Sequence, residues 1–324
     1  MDRDFLYESL KHIIETDDFT RRMWQLYEEV YHSDRQKPRL EVATTRNDFM
    51  MHKSTPNATD SDLGLQQVEY NMCAISLAPL ETAVNNWHKF LMSNLLGQKV
   101  DNMLMTTDAG EDEVNNPAVG LATTVVNGKK AYDELFGSKD SVVLIVADTP
   151  SRNIFDQRRI EIEMMKQNKG LKTLRRTLAQ LREAIDHEEV DKSGRLLVEG
   201  HEVAIVYCRA GYDEIHYDFS AGDWEKVRRP MELSRAAVIP NVAHQLGNYK
   251  KIQQVLCQSA FLEKFGLNTE ACEQMRRTFA EMHSLDFDDS GNKAVALGIE
   301  RYQDYVLKPM QEGGSLFSYY FENM

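Results

Sequence analysis

The chain has 324 residues, 42% of them hydrophobic and 27% charged, and its 13 Phe, 13 Tyr and 3 Trp exclude disorder as the main state. With 17 Gly and 8 Pro, collagen-like and low-complexity architectures are excluded too. Lys and Arg total 38 against 51 Asp and Glu; the resulting net charge of −13 makes a nucleic-acid backbone or an anionic membrane a poor partner, and neither is predicted.

The length predicts two domains or one large one. Cys73, Cys208, Cys257 and Cys272 form no CxxC pair, and the first two sit in apolar runs, so buried free thiols in a reducing compartment are expected. The opening MDRDFLYESLKHII carries acidic residues at once and lacks the apolar core of a secretory signal. No stretch approaches the ~18 apolar residues that span a membrane. A soluble, cytoplasmic protein is the expectation.

In chain order, Phe5, Leu6, Leu10, Ile13 and Ile14 recur at helical spacing, and Phe19, Met23, Leu26, Tyr27 and Val30 repeat the pattern after the capping residues Thr16, Asp17 and Asp18. Residues 40–45 (LEVATT) and 65–73 (LQQVEYNMC) read as strands, 81–96 as a helix, and 106–117 (TTDAGEDEVNNP) as an acidic loop. At Ser141 the texture changes: SVVLIVAD is a continuous apolar run suited to a strand buried on both faces. A helix over 154–168, a strand over 171–177 and a buried strand over 203–208 (VAIVYC) complete a parallel α/β unit at 141–249. From Lys250 the pattern predicts helices at 250–265, 270–283 and 294–304, then a strand at 305–309.

Several sites stand out by residue type. Glu69 and Asn71, two apart on a strand, project from one face, and a carboxylate with an amide oxygen suits a hard cation such as Mg²⁺. On spacing alone, a solvated strand face is the better reading of the pair, because E-x-N is common there. Lys308-Pro309-Met310-Gln311-Glu312-Gly313-Gly314-Ser315 follows a strand: glycines admit phosphate to backbone N–H groups, lysine neutralises it, and glutamate can hold a bridging metal. Taken alone, the segment reads better as a surface turn. Arg209-Ala210-Gly211-Tyr212 lies at the carboxyl end of the VAIVYC strand, where open parallel sheets bind ligands and arginine can fork a carboxylate; a solvated turn with a glycine corner fits it as well. Asp286 to Gly291 resembles the start of a calcium loop, but its twelfth position is Leu297, not a bidentate glutamate. The arginines of LRRTLAQLR read as a solvated face, and neither HExxH nor GxSxG occurs.

Taken together these segments resemble the eukaryotic-type glutathione synthetases, ligases of the ATP-grasp class. The resemblance is carried by SRNIFDQRRIEIE (Ser151–Glu163) followed by LRRTL, then VAIVYCRAGY, AHQLGNYKKIQQVL, QQVEYNMCAIS and VLKPMQEGGS. It implies an α/β ATP-grasp fold with a parallel-sheet, three-layer substrate-binding domain and helical additions, and an incomplete C-terminal ATP-grasp part. The implied activity is phosphorylation of the C-terminal carboxylate of γ-glutamylcysteine by ATP, followed by attack of the glycine amine on the acyl phosphate, in a cytoplasmic homodimer. The resemblance matches Glu69, Asn71 and Glu312 to Mg²⁺ ligands, and Glu69, Lys250, Lys308, Glu312, Gly313, Gly314 and Ser315 to the ATP site. Arg46 and Lys308 match catalytic positions. Arg46, Ser76, Glu161, Glu163, Gln167, Arg209 and Tyr212 match positions that hold the dipeptide.

The sequence departs from the family pattern at Ala74, Ile162, Ala210 and Ser315-Leu316-Phe317. Relative to that pattern, segments at both ends are also expected to be missing. The implied domains are an N-terminal helical and ATP-grasp part (1–140), the α/β substrate-binding domain (141–249), and a helical segment with the start of the C-terminal ATP-grasp part (250–324). Two functions follow: an ATP- and Mg²⁺-dependent ligase, or a catalytically impaired relative used for binding.

Overall fold

The structure, a computed structural model, describes residues 2–33, 39–53, 59, 63–95, 116–151, 153–258, 261–308 and 319–320. The expected acidic loop at 106–117 falls almost wholly outside them, as do Glu312, Gly313, Gly314 and Ser315.

Along the chain, helices α1 (Arg3–Thr16) and α2 (Asp18–His32) precede strands β1 (Arg46–Lys53) and β2 (Leu63–Asn71) and helices α3 (Ala78–Leu95) and α4 (Pro117–Phe136). Then come β3 (Val142–Val146), α5 (Ile154–Gln167), β4 (Thr173–Arg176), the short α6 (Leu178–Leu181) and α7 (His187–Ser193), β5 (Leu197–Val198) and β6 (His201–Cys208). The remainder is α8 (Arg229–Leu233), β7 (Ala237–Ile239), α9 (Val242–Gly247), α10 (Lys250–Leu256), α11 (Thr269–Thr278), α12 (Asp289–Glu300), β8 (Val306–Leu307) and β9 (Tyr319–Tyr320). They form two compact units, one of Met1–Gln25, Thr45–Met72 and Ala243–Met324, the other of Leu26–Thr44 and Cys73–Val242.

The second unit is built on a mixed sheet in which β3 lies between β4 and β6, all parallel, and β6 pairs β7 in parallel. The short β5 turns back antiparallel onto the start of β6. Every residue of β3 is buried. Each Val, Leu or Ile so buried contributes roughly 1.5–3 kcal/mol of hydrophobic stabilisation, so the VVLIV run demands cover on both faces. Ala122, Val125 and Tyr132 of α4 and Ile160 and Met164 of α5 join Val143, Ile145, Ile205 and Tyr207 in one core cluster. Helix α4 approaches the sheet at Gly128, where a Cβ would meet a Val42 methyl at 3.0 Å and the Ile205 Cδ1 at 3.2 Å. Its start is fixed by the Asn116 side chain, which accepts from the Val119 N–H at 3.2 Å, and by Pro117 in the first turn.

In the first unit β1 and β2 form an antiparallel ribbon. The outer edge of β2 is occupied by groups from later in the chain. Gln253 pairs with the Tyr70 backbone both ways, accepting its N–H at 3.2 Å and donating to its carbonyl at 2.8 Å, so one side-chain amide replaces a neighbouring strand residue. Asn248 accepts the Met72 N–H, Ala280 donates to the Gln67 carbonyl at 3.3 Å, and Lys308 Nζ donates to the Val68 carbonyl at 2.9 Å. Helix α1 seats Phe5 edge-on against Phe261 and Phe265, ring centres 5.9 and 5.0 Å apart.

Some expectations are corrected. Residues 40–45 form no strand: Leu40 and Val42 pack against the core of the second unit, and pairing begins only at Arg46. The helix expected over 250–265 ends at Leu256, with a separate 3₁₀ turn at Leu262–Phe265, and the helix expected to reach 283 ends at Thr278. The Asp286–Gly291 segment leads into a helix, Asp288 capping α12 by accepting the Gly291 N–H at 2.8 Å. Among the described residues no helix is long and apolar enough to cross a membrane.

Candidate active site

Two clusters of polar side chains emerge, one in each unit. In the first unit the ribbon register sets the geometry. Arg46 lies directly opposite Asn71, and Asp48 opposite Glu69. Positions two apart on a strand share a face, so all four side chains leave the same side of the ribbon. A register irregularity follows at once, Asp48 pairing Glu69 but Phe49 pairing Gln67, which leaves Val68 as the extra residue of a bulge. Two carboxylates facing each other across strands repel, and each is met by a cation. Arg46 donates to Asp48 through Nε at 2.7 Å and Nη2 at 2.8 Å, a bidentate fork. Lys250 Nζ, at the first position of α10, lies 3.4 Å from the Glu69 carboxylate. The Asn71 amide nitrogen donates to Asp48 at 3.3 Å. Lys250 is buried, and it is positioned by the turn before α10, where the Tyr249 and Thr20 hydroxyls share a hydrogen bond of 2.7 Å.

In the second unit the cluster lies beyond the carboxyl ends of β3, β4 and β6. Buried Arg209 follows β6 and donates to the Ile75 carbonyl and, at 2.8 Å, to the Ser76 hydroxyl. The loop receiving it is strained: Ala74 and Leu77 hold φ of 42° and 72°, in the left-handed region that side chains disfavour. Asp156 fixes its far end by accepting the Leu77 N–H at 3.1 Å. From Ser76 the network runs through Asn153 (3.2 Å) to Gln157 (2.7 Å), and Gln157 accepts from Arg175. Arg175 also donates to Glu161 at 2.6 Å, and Arg158 donates to the same carboxylate. Burial is the largest influence on Arg175 and pulls its pKa below the usual arginine value.

The 209–212 turn rests on buried chemistry. Gly211 has φ of 90°, and its carbonyl accepts the Tyr217 hydroxyl at 2.6 Å and Arg228 Nη1 at 3.3 Å. An added Cβ there would stand 3.0 Å from the Tyr217 oxygen. Burial pushes the Tyr217 hydroxyl up to about 12 and keeps it protonated as a donor. Tyr212 packs on His216, ring centres 4.5 Å apart, and His216 Nε2 lies 3.3 Å from Asp148.

A family model described as "Eukaryotic glutathione synthase, ATP binding domain" matches residues 1–322. The chain belongs to the eukaryotic glutathione synthase family. Similar relatives include the glutathione synthetases of Macaca fascicularis and Homo sapiens, each 35% identical over 311 residues. Those alignments cover 96% of this chain and 60% of each relative, so the chain spans about three fifths of their length. The glutathione synthetase of Dictyostelium discoideum is 33% identical over 318 residues, covering 97% of this chain and 63% of that one. The fold is similar to that of a glutathione synthetase-like effector from Globodera pallida in its apo form. That likeness has a TM-score of 0.62 at 17% identity and covers 91% of this chain and 64% of the other.

Of the residues singled out in the sequence, Arg46, Glu69, Asn71, Lys250 and Lys308 are brought to β1 and β2 within the first unit. Ser76, Glu161 and Arg209 share one network in the second. Glu163 is buried and paired instead with Arg159 and Lys166, both at 2.9 Å. Gln167, about 9 Å further along α5 than Glu161, bonds to α4, accepting from Thr123 at 3.1 Å and donating to the Val119 carbonyl at 3.3 Å. Asp48 and Gln157 carry no site expectation from the sequence, and Arg175 falls in the LRRTLAQLR run expected to be a solvated face. Arg175 is no solvated arginine: its side chain is only 16% exposed. Among the described residues no three His, Cys, Asp or Glu side chains converge as a metal site. Glu69 and Asn71 nonetheless supply hard oxygen donors of the kind Mg²⁺ prefers.

Proposed function

We propose that the chain is a glutathione synthetase-like ligase, dependent on ATP and Mg²⁺, which joins γ-glutamylcysteine to glycine. The observation that carries this reading is the constellation on β1 and β2: Glu69 and Asn71 on one face with Arg46, and Lys250 and Lys308 held to the same strand. Phosphoryl transfer needs cations and fixed donors around the phosphates more than it needs a protein nucleophile, and this set consists of such groups.

In this reading Glu69, Asn71 and Glu312 would hold Mg²⁺, which would supply positive charge to offset that of the phosphates. Lys250 and Lys308 neutralise ATP phosphates beside Glu69, with Gly313, Gly314 and Ser315 supplying backbone donors. Arg46 orients the dipeptide carboxylate, whose oxygen attacks the γ-phosphorus and expels ADP; Lys308 serves that step as a charge partner. The glycine amine then attacks the acyl carbon, inorganic phosphate leaves, and the amine loses a proton. Ser76, Glu161, Glu163, Gln167, Arg209 and Tyr212 recognise the dipeptide. The domains proposed are 1–140, 141–249 and 250–324, and the protein is proposed to act as a cytoplasmic homodimer, a state that sedimentation measures directly.

The test is incubation of the folded chain with Mg-ATP, γ-glutamylcysteine and glycine, read by mass spectrometry. Tripeptide formed in equal amount with ADP is the expected result. Folded protein that yields neither sinks the ligase reading and leaves dipeptide binding as the property to measure.

A further inference from the structure

The Asp48 carboxylate is tied to two of the groups just assigned. Its Oδ1 takes the Arg46 Nε–H at 2.7 Å, and its Oδ2 takes Arg46 Nη2 at 2.8 Å and the Asn71 amide nitrogen at 3.3 Å. A carboxylate only accepts, so it selects the NH₂ end of the Asn71 amide and turns Oδ1 of that side chain away from itself. The register places Asp48 across from Glu69, and the bulge immediately after it ends this alignment, so the arrangement is confined to these four positions.

We infer that Asp48 is a positioning residue: it locks the Arg46 guanidinium and sets the Asn71 amide with its oxygen toward the cation. The inference rests on the ligase reading for the roles of Arg46 and Asn71. An asparagine ligand carries a defect that a carboxylate does not, because half of its orientations present N–H groups that repel a cation. A neighbour that accepts only from the nitrogen removes the wrong orientation before metal arrives. Outer groups that orient ligands typically change metal affinity 10–100-fold when removed. The same carboxylate fixes Arg46, so its loss should also raise KM for the dipeptide.

The decisive experiment is a Mn²⁺ titration of the full chain with adenylyl imidodiphosphate, free Mn²⁺ being read by electron paramagnetic resonance. Asp48→Ala should weaken Mn²⁺ binding about ten-fold or more. Asn71→Asp in that background should restore most of it, because a carboxylate presents oxygen either way round. Asp48→Asn keeps the side-chain volume should the alanine variant fail to fold. It is expected to weaken binding by roughly three-fold or more, because an amide cannot fork Arg46 and still accept from Asn71. Wild-type affinity in Asp48→Ala, or no recovery in the double variant, overturns the assignment, as does a wild-type chain that binds no Mn²⁺. If wild type forms no tripeptide, the ligase reading falls, while the Mn²⁺ comparison still decides whether Asp48 orients Asn71.

Discussion

The parallel sheet of the second unit and the ribbon of the first place their polar groups in opposite ways. Strand β3 is buried along its whole length, and the polar network nearest it sits beyond its carboxyl end on loops and on α5. Strand β1 is exposed along most of its length, with Met50 and Met51 at 62% and 69% exposure, and it carries Arg46 and Asp48 within the strand itself. A sheet wrapped by helices gains its stability from apolar faces and has room for chemistry only where the strands end. A ribbon with one open face can present charged groups directly, provided that its edge is satisfied from elsewhere, as Gln253, Asn248 and Lys308 do for β2.

The contrast is best broken from the buried side. Arg228 and Glu232 form a wholly buried ion pair of 2.7 Å in the second unit, and Arg228 also holds the Gly211 carbonyl. Glu232→Ala leaves that guanidinium uncompensated and should cost about 3–5 kcal/mol. Denaturant unfolding measures the loss, and a loss under 1 kcal/mol would show that the buried charge finds another partner. Ile145→Ala, in β3, should cost about 2–5 kcal/mol through lost burial and the cavity left behind.

A pH titration sharpens the same comparison. Burial opposes the charge on Glu202, but hydrogen bonds from Arg235, Tyr132 and Ser138 together outweigh it and hold the carboxyl below its ordinary value. A depressed folded pKa contributes stability that is present above the unfolded carboxyl pKa of about 4.3 and is lost as pH falls through the lower folded value. Glu202→Gln should therefore flatten the acid side of the stability curve. In the first unit Asp286, paired with Lys251 and Ser284, is shifted the same way against its own burial. Its side chain is 41% exposed against 16% for Glu202, so Asp286→Asn should flatten the curve less. An equal effect from both would mean that exposure does not separate the units electrostatically.

The sequence reveals most of the sheet because apolar runs such as VVLIV and VAIVYC leave few alternatives to a buried strand. It hides β1 because RNDFMMHK has neither alternation nor a buried face, so its pairing follows from β2 and not from its own pattern. Helix α4 is hidden because Gly120, Thr123, Thr124 and Gly128 thin its apolar stripe, although Asn116-Pro117 at its start is a readable signal. The site divides along the same line. Glu69 and Asn71 declare themselves by spacing within one strand, whereas Asp48 is defined by a partner 23 residues away and Arg175 by partners 14 and 18 residues away. Such partnerships are products of topology, and local pattern carries no trace of them.

The smallest expected effect tests the exposed end of the ribbon beyond the bulge. Met51 is paired in register with Leu65, itself 56% exposed, so the pair buries little area that truncation could return to water. Met51→Ala should therefore change stability by no more than about 0.5 kcal/mol, the range of surface substitutions with no special partner. It should also leave the Mn²⁺ affinity of the chain unchanged, because Met51 lies on the far side of the bulge from Asp48. A loss of 2 kcal/mol or more would mean that this face is covered in the working protein, and the exposed, chemistry-bearing ribbon would then have to be redescribed as half of an interface.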